Sequence, residues 1–172
     1  PRVVDFPRWL WLPILNGIIL KSRPKRLVED YSSIWGDSAG PIVEITFSLA
    51  KKLQTVLPSE IKVITAMTYG NPSIKDAMKE AKGFDHIMVL PMFPQYAGAT
   101  TGAIEDQINA SKHELSVNKP IRVIRDYHDE PSYIKAVSNT IRDPERFLNI
   151  DSQLVFSFHG IPQSQSKRGD PY

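Results

Sequence analysis

Strands and helices alternate along the chain from Ile61 onward, and this alternation constrains the fold more than any other feature. Short apolar runs typical of strands are each followed by an amphipathic stretch of helical length. The predicted strands are 61–66, 86–92, 121–125 and 154–158, and the predicted helices between them are 73–83, 101–116 and 131–141. Such alternation joins parallel strands through helical crossovers. The sequence therefore predicts an α/β fold, a parallel sheet flanked by helices.

Local signals mark where several helices begin. Gly40 and Pro41 suit the N-cap and the first position of a helix whose apolar residues recur at spacings of three and four. Ser73 is predicted to cap a second helix, with Asp76 as its capping-box partner. In the predicted helix 131–141, the apolar residues are predicted to point inward. A further helix is predicted over 27–35.

Composition argues against several classes of protein. The chain has 172 residues, of which 41% are hydrophobic, as in a globular domain with a real core. Its net charge of +2 is too small to indicate nucleic-acid binding. It has no cysteine, so this stretch holds no disulfide and no cysteine-ligated zinc or iron–sulfur site. Neither glycine-rich phosphate fingerprint occurs, which argues against a nucleotide-binding Rossmann domain or a P-loop enzyme.

The unusual side chains collect in the loops that follow the predicted strands. Parallel strands end at one edge of the sheet, where open α/β folds place their ligand site. The residues in question are Tyr69, Phe93, Tyr96, Thr100, Thr101, Tyr127 and His159. Aromatic rings in these loops suit a large, flat, apolar ligand. For each aromatic residue taken singly, packing in the core is the alternative.

His159 directly follows the last predicted strand, and Gly160 and Pro162 then break the chain into a loop. Imidazole accepts a proton near neutral pH, so this position suits a base or a metal ligand. A histidine that merely caps the strand end is the alternative that spacing leaves open. The other histidines stand in a strand start, a solvated helix and a surface loop, and no histidine–carboxylate pair offers a closed metal site.

The N-terminal stretch 9–20 is apolar except for Asn16, and Lys21 and Arg23 open a basic cluster directly after it. Twelve residues are too few to span a bilayer, which needs about 20. An apolar helix that carries tryptophan beside basic residues can rest on a membrane surface. A buried helix followed by a solvated basic turn is the alternative.

Several motifs together resemble those of the ferrochelatase family, enzymes that insert ferrous iron into a porphyrin. The resemblance is carried by 157–162 (SFHGIP) with 169–172 (GDPY), by 90–96 (LPMFPQY) with 100–102 (TTG), by 67–72 (MTYGNP) and by 126–131 (DYHDEP). It covers essentially the whole chain, but only about half of a bacterial ferrochelatase. The resemblance implies two similar Rossmann-like lobes around a cleft. Residues 1–129 would form the first lobe without its first strand, and 130–172 the beginning of the second.

The resemblance also implies a function. Ferrous iron, as substrate, would enter protoporphyrin IX to give haem, in a lyase without a permanently bound cofactor. His159 would be the catalytic residue, as proton acceptor or metal ligand. The substrate-binding residues would be Arg23, Tyr69, Phe93, Tyr96 and Thr100. The protein is expected in the cytoplasm, in peripheral contact with a membrane through 9–26.

The start without methionine and the end at Tyr172 indicate a fragment, which would be inactive alone because a carboxylate facing His159 is expected beyond it. Two departures from the family pattern bear on the substrate. Ala39-Gly40-Pro41 stands where the family carries Gly-Ser-Pro, so a hydroxyl that can touch a propionate is missing. Thr68 stands where some members carry arginine, so a more carboxylated porphyrin stays open. The apolar N-terminal stretch favours protoporphyrin. The alternative functions are a chelatase that inserts cobalt or nickel into a corrin precursor, and a non-catalytic porphyrin-binding protein.

Overall fold

The structure is a computed structural model that describes residues 7–21, 28, 32, 35, 40–141 and 155–172. The chain divides into two compact units, one up to Gly83 and the other from Phe84 onward. Most of the predicted helix 27–35 lies outside the described residues. The lobe boundary expected at 129 stays a prediction.

The first unit opens with helix α1, Arg8–Ile14, which runs directly into a single π-helical turn, Leu15–Ile19. Pro13 stands inside α1, where its ring removes one backbone donor, and widened turns of this kind often accompany such a local disturbance. None of the helices in the described part of the chain has both the length and the apolar composition needed to cross a membrane.

Two further helices of this unit begin where the sequence predicts. Helix α2 covers Pro41–Val56, with Gly40 in an extended conformation as its N-cap. Helix α3 covers Ile74–Ala81, and the backbone N–H of Asp76 donates to the Ser73 hydroxyl at 3.1 Å. The apolar face of α3 is buried through Ile74, Met78 and Ala81. Both predicted helix starts are confirmed.

The predicted strand 61–66 is wrong. Its backbone is bonded by a side chain of α2: the Gln54 amide accepts from Val63 N at 2.8 Å and donates to Ile61 O at 2.8 Å. These donors and acceptors are therefore not free to pair with a strand. The described pairing in this stretch is a single parallel bridge between Met67 and Ser73.

The second unit contains the parallel sheet. Strands β1, Ile87–Val89, and β2, Ile121–Val123, pair in parallel with Ile87 opposite Ile121. Helix α4, Thr101–Glu114, connects them and buries its N-terminal turn together with Ile104, Ile108 and Ser111. The α/β fold with a parallel sheet is thus confirmed, with strands shorter than predicted.

Two short helices complete the second unit: α5, Pro131–Ser138, and α6, Gln163–Lys167. The inward-facing positions predicted for α5 are wrong, because Ile134, Val137 and Ile141 are all exposed. No described element covers this face of the helix.

The predicted buried strand at 154–158 is also wrong over its described part, 155–158. Val155, Phe156 and Phe158 are exposed, and no described strand lies beside them to accept their backbone hydrogen bonds. Phe156 and Phe158 stack on each other with ring centroids 6.5 Å apart. Alternate residues of an extended chain share a side, which brings the two rings together. An apolar run without a neighbouring strand buries little surface and so does not gain strand order.

Candidate active site

His159 lies in the exposed segment that leads into α6, whose N-cap is Pro162. Within the described part of the chain, its imidazole makes no hydrogen bond and no ion pair. A neutral imidazole in this condition has one ring nitrogen available as an acceptor. It can therefore take a proton from a ligand or bind a metal ion.

The loop from β1 to α4 carries three of the predicted substrate-binding residues, Phe93, Tyr96 and Thr100. Thr100 is the N-cap residue of α4, and its hydroxyl is engaged with Ala97: it accepts from the Ala97 N–H and donates to the Ala97 carbonyl, both at 3.2 Å. Ala97 itself is buried. The Thr100 hydroxyl thus stabilises the loop on which Phe93 and Tyr96 stand.

Tyr96 is half-buried, and the guanidinium carbon of Arg125 lies 3.9 Å from the centroid of its ring. Arg125 follows β2 closely, so the contact joins the carboxyl ends of the two strands. A guanidinium over a tyrosine face is a favourable cation–π arrangement. Sequence reasoning missed Arg125, because an arginine after a strand carries no signal of its own.

Tyr127 joins the same two loops. Its backbone N–H donates to Pro94 O at 2.8 Å and its hydroxyl donates to Pro91 O at 3.1 Å. Its ring meets Tyr133 edge-on, with centroids 5.4 Å apart. Burial, and then the charge of Tyr133, raises the pKa of Tyr127. The predicted meeting of loops at one sheet edge is confirmed for the loops that follow β1 and β2.

The C-terminal motif reaches the β1–α4 loop through Asp170. Its Oδ2 accepts from the backbone N–H of Gly98 at 2.7 Å, and its Oδ1 accepts from the N–H of Tyr172 at 3.1 Å. Gly169 has φ +92°, a left-handed conformation that favours glycine. Asp170 belongs to the motif GDPY, but the sequence alone carries no signal of its role.

The other two predicted substrate-binding residues are Tyr69 and Arg23. Tyr69 belongs to the first unit, where it is exposed beside Gly70, which has φ +95°. Arg23 lies outside the described residues. An open cavity of about 540 Å³ in the first unit, between α2 and α3, is lined by residues such as Gln54 and Asp76 and by none of the predicted site residues.

One cluster in the described residues has metal-ligating side chains. The ligand atoms of Asp126, His128 and Asp129 lie within 4.8 Å of one another. All three side chains are exposed, so this is not the closed type of site that sequence analysis looked for.

Together these features define an α/β protein in which aromatic loops at the strand ends share a unit with the exposed His159. The ferrochelatase family model matches residues 1–172. The chain is 40% identical to ferrochelatases of Nitrosomonas europaea, Vibrio vulnificus and Psychrobacter cryohalolentis, over 99–100% of its own length. The chain belongs to the ferrochelatase family. It spans about half the length of these relatives: 49%, 54% and 52% respectively.

Proposed function

We propose that this chain carries the histidine of a ferrochelatase active site, and that the whole protein inserts ferrous iron into protoporphyrin IX to form haem. The observation that carries the proposal is His159, which lies in the SFHGIP motif with its imidazole exposed and unbonded in the described part of the chain. Membership of the family and the name ferrochelatase borne by the curated relatives support it. They disfavour cobalt or nickel insertion into a corrin precursor and a purely binding role.

The chemistry explains why a histidine is needed. A porphyrin presents two pyrrole N–H groups, and both protons must leave when a divalent metal enters. A flat ring does not admit the metal in its plane, so a site that binds it bent exposes the nitrogen lone pairs. A neutral imidazole beside one face then accepts a pyrrole proton or holds the incoming iron.

The loop between β1 and α4 supplies a wall for the flat ring. Phe93 is partly exposed, and Tyr96 is fixed by the guanidinium of Arg125. A fixed aromatic ring costs little further conformational entropy when a ligand stacks on it. Phe93, Tyr96, Thr100 and Tyr69 are the substrate-binding residues of this proposal, and Arg23 is the candidate for a propionate group.

The test is an insertion assay on a full-length protein that carries this chain, with protoporphyrin IX and coproporphyrin offered separately with ferrous iron. We expect metalation of protoporphyrin to have the larger kcat/KM. A preference for coproporphyrin would correct the substrate and leave the reaction standing. A protein that binds porphyrin but inserts iron into neither would contradict the proposal.

The 172-residue chain alone is expected to be inactive, since it spans about half of each curated relative. It contributes one histidine and one set of loops, whereas two protons must leave the porphyrin and the family resemblance places a carboxylate facing His159 outside this chain. Iron insertion by these residues alone, at a rate above the uncatalysed reaction, would contradict this account of the site.

We also propose that this protein is located in the cytoplasm and that it contacts a membrane peripherally through the stretch 9–26. Its described part supports this, because Trp9, Ile18 and Leu20 are 73%, 64% and 53% exposed. Lys21 follows at once, and basic residues next to an apolar helix favour anionic lipid surfaces.

Vesicle sedimentation tests this contact. We expect binding to vesicles that contain an anionic phospholipid, weaker binding to neutral vesicles, and a clear loss of binding in Trp9→Ala. Trp35→Ala is the matched control, because Trp35 is also exposed, at 59%, but lies outside the stretch. Equal binding by the two variants would remove the stretch as the contact.

A further inference from the structure

We infer that Asp170 is a positioning residue for the proposed reaction, because its carboxylate holds the segment that carries His159 against the loop that carries Tyr96. The inference rests on the proposed function, since it presumes that His159 does the chemistry. It goes further by giving a physical task to an aspartate that touches no reacting atom.

Both carboxylate oxygens of Asp170 are used. Oδ2 accepts from the N–H of Gly98 at 2.7 Å, across 72 positions of sequence, and Oδ1 accepts from the N–H of Tyr172 at 3.1 Å. Hydrogen bonds to an ionised carboxylate are shorter and stronger than those between neutral groups. One side chain therefore fixes the end of the C-terminal motif and attaches it to the β1–α4 loop.

Gly98 makes this approach possible. A Cβ atom built on Gly98 would lie 3.1 Å from Oδ2, closer than ordinary van der Waals contact. The φ angle of Gly98 is outside the left-handed region, so glycine is favoured here for space and not for conformation. The loop and the aspartate are thus matched to each other.

The carboxylate also stands at a favourable end of α4. Gly98 lies two positions before Thr100, the N-cap of this helix of 14 residues. The N-terminal end of a helix carries partial positive charge and favours a nearby anion. The partial positive charge at the start of α4 therefore adds to the hydrogen bond between the Asp170 carboxylate and the N–H of Gly98.

Short-range hydrogen bonds transmit the position of Asp170 to the histidine segment. The N–H of Asp170 donates to Gln165 O at 3.2 Å, and the N–H of Gln165 donates to Pro162 O at 2.8 Å. Gln165 is buried, so α6 is packed and not merely hydrogen-bonded. Residues 162–170 thus form one short hydrogen-bonded segment, and His159 lies three positions before it.

The opposite side of His159 gives it little support in the described structure. Residues 155–158 are exposed and pair with no described strand. The position of the imidazole then depends on the C-terminal side, where Asp170 makes a long-range hydrogen bond to Gly98. A misplacement of about 1 Å of a catalytic group costs about 100-fold in rate.

The test uses a full-length protein that carries this chain. In Asp170→Ala we expect kcat for iron insertion to fall roughly tenfold or more, with KM for the porphyrin nearly unchanged. Asp170→Asn keeps one acceptor oxygen and should retain an intermediate kcat. Asp85→Asn, at an exposed aspartate that makes no hydrogen bond or ion pair in the described structure, is the matched control. Rates are measured per folded molecule, well below the unfolding temperature of each variant.

Gly98→Ala attacks the same contact from the other side and should lower kcat in the same direction as Asp170→Ala. If both variants insert iron per folded molecule as fast as Asp85→Asn, Asp170 has only a structural role and the inference is wrong. A change confined to the unfolding temperature, with kcat unaltered, would equally contradict it. If the unaltered protein inserts no iron at all, the proposed function fails first, and the inference fails with it.

Discussion

The β1–α4–β2 region and the segment 155–162 are both predicted to carry site residues at the end of a strand, yet they are packed very differently. Thr101 is fully buried and Ile108 is 3% exposed, whereas Phe156 and Phe158 are 71% and 78% exposed. The first region contains its own partners, because one strand, one helix and a second strand follow each other in sequence. The second has apolar residues without a described strand beside them. At the candidate site, the packed part is therefore the β1–α4 loop, and α6 connects this loop to the segment that carries His159.

The largest expected effect tests whether the histidine segment is functional despite its exposure. His159→Ala, in a full-length protein that carries this chain, should reduce iron insertion by about 10²–10⁴-fold, the usual loss when a general base is removed. Porphyrin affinity should be nearly unchanged, because one imidazole is a small part of the contact with a porphyrin. Fluorescence titration beside a metal-insertion assay measures both quantities.

An alanine variant that inserts iron at the unaltered rate would make His159 a structural residue. The site would then have to be sought among the other loops at the sheet edge.

The second prediction compares the packing of the two regions directly. Ile108→Ala should lower the free energy of unfolding by about 2–5 kcal/mol, because it leaves a cavity where a buried side chain stood. Phe156→Ala removes a larger side chain, but an exposed one, and should cost about 0.5 kcal/mol or less. Urea unfolding of the 172-residue chain gives both values. Equal losses would mean that the histidine segment is packed in solution as firmly as α4.

The third prediction concerns α3, whose start is stabilised by residues close in sequence, as is the start of α4. Ser73→Ala removes the hydroxyl that accepts from Asp76 N, and should lower the free energy of unfolding by about 1 kcal/mol. Thr55→Ala is a suitable control, because its hydroxyl donates to Lys52 O within α2 and caps no helix start. A loss in Ser73→Ala no larger than in the control would contradict local specification.

A second hydrogen bond between these two residues sets a pH dependence: the Ser73 hydroxyl donates to Asp76 Oδ2 at 2.6 Å. The Ser73 hydroxyl, and then Lys79, holds the pKa of Asp76 below its ordinary value of 3.8. Because the pKa of Asp76 is lowered in the folded state, its ionised carboxylate stabilises the fold at pH values above the ordinary pKa. This stabilisation is lost as the pH falls through the lowered pKa of the folded state. A carboxyl NMR titration should show the lowered pKa, and it should rise in Ser73→Ala. An unchanged pKa would assign the shift to Lys79 instead.

The features that could be predicted from the sequence are those set by residues close together in the chain. The starts of α2 and α3 were predictable because Gly40, Pro41 and Ser73 act within a few residues. The absence of a strand at 61–66 was not, because the backbone there is bonded by the side chain of Gln54, which no periodicity reveals. Within the candidate site, His159 and the aromatic loops were visible as motifs. Arg125 and Asp170 were not assigned, because each acts on a residue far away in sequence.

The smallest expected effect concerns the contact that fixes the aromatic wall. A double-mutant cycle with Arg125→Ala and Tyr96→Leu should give a coupling free energy of about 0.5–1 kcal/mol, the range for an exposed cation–π pair. Urea unfolding of the single and double variants supplies the values. Arg122→Ala in place of Arg125→Ala is the control, since Arg122 is also exposed and lies in β2, but has no contact with Tyr96. A coupling indistinguishable from this control would mean that Arg125 does not hold Tyr96. The order of the β1–α4 loop would then rest on Thr100, Tyr127 and Asp170, whose hydrogen bonds to it are independent of that arginine.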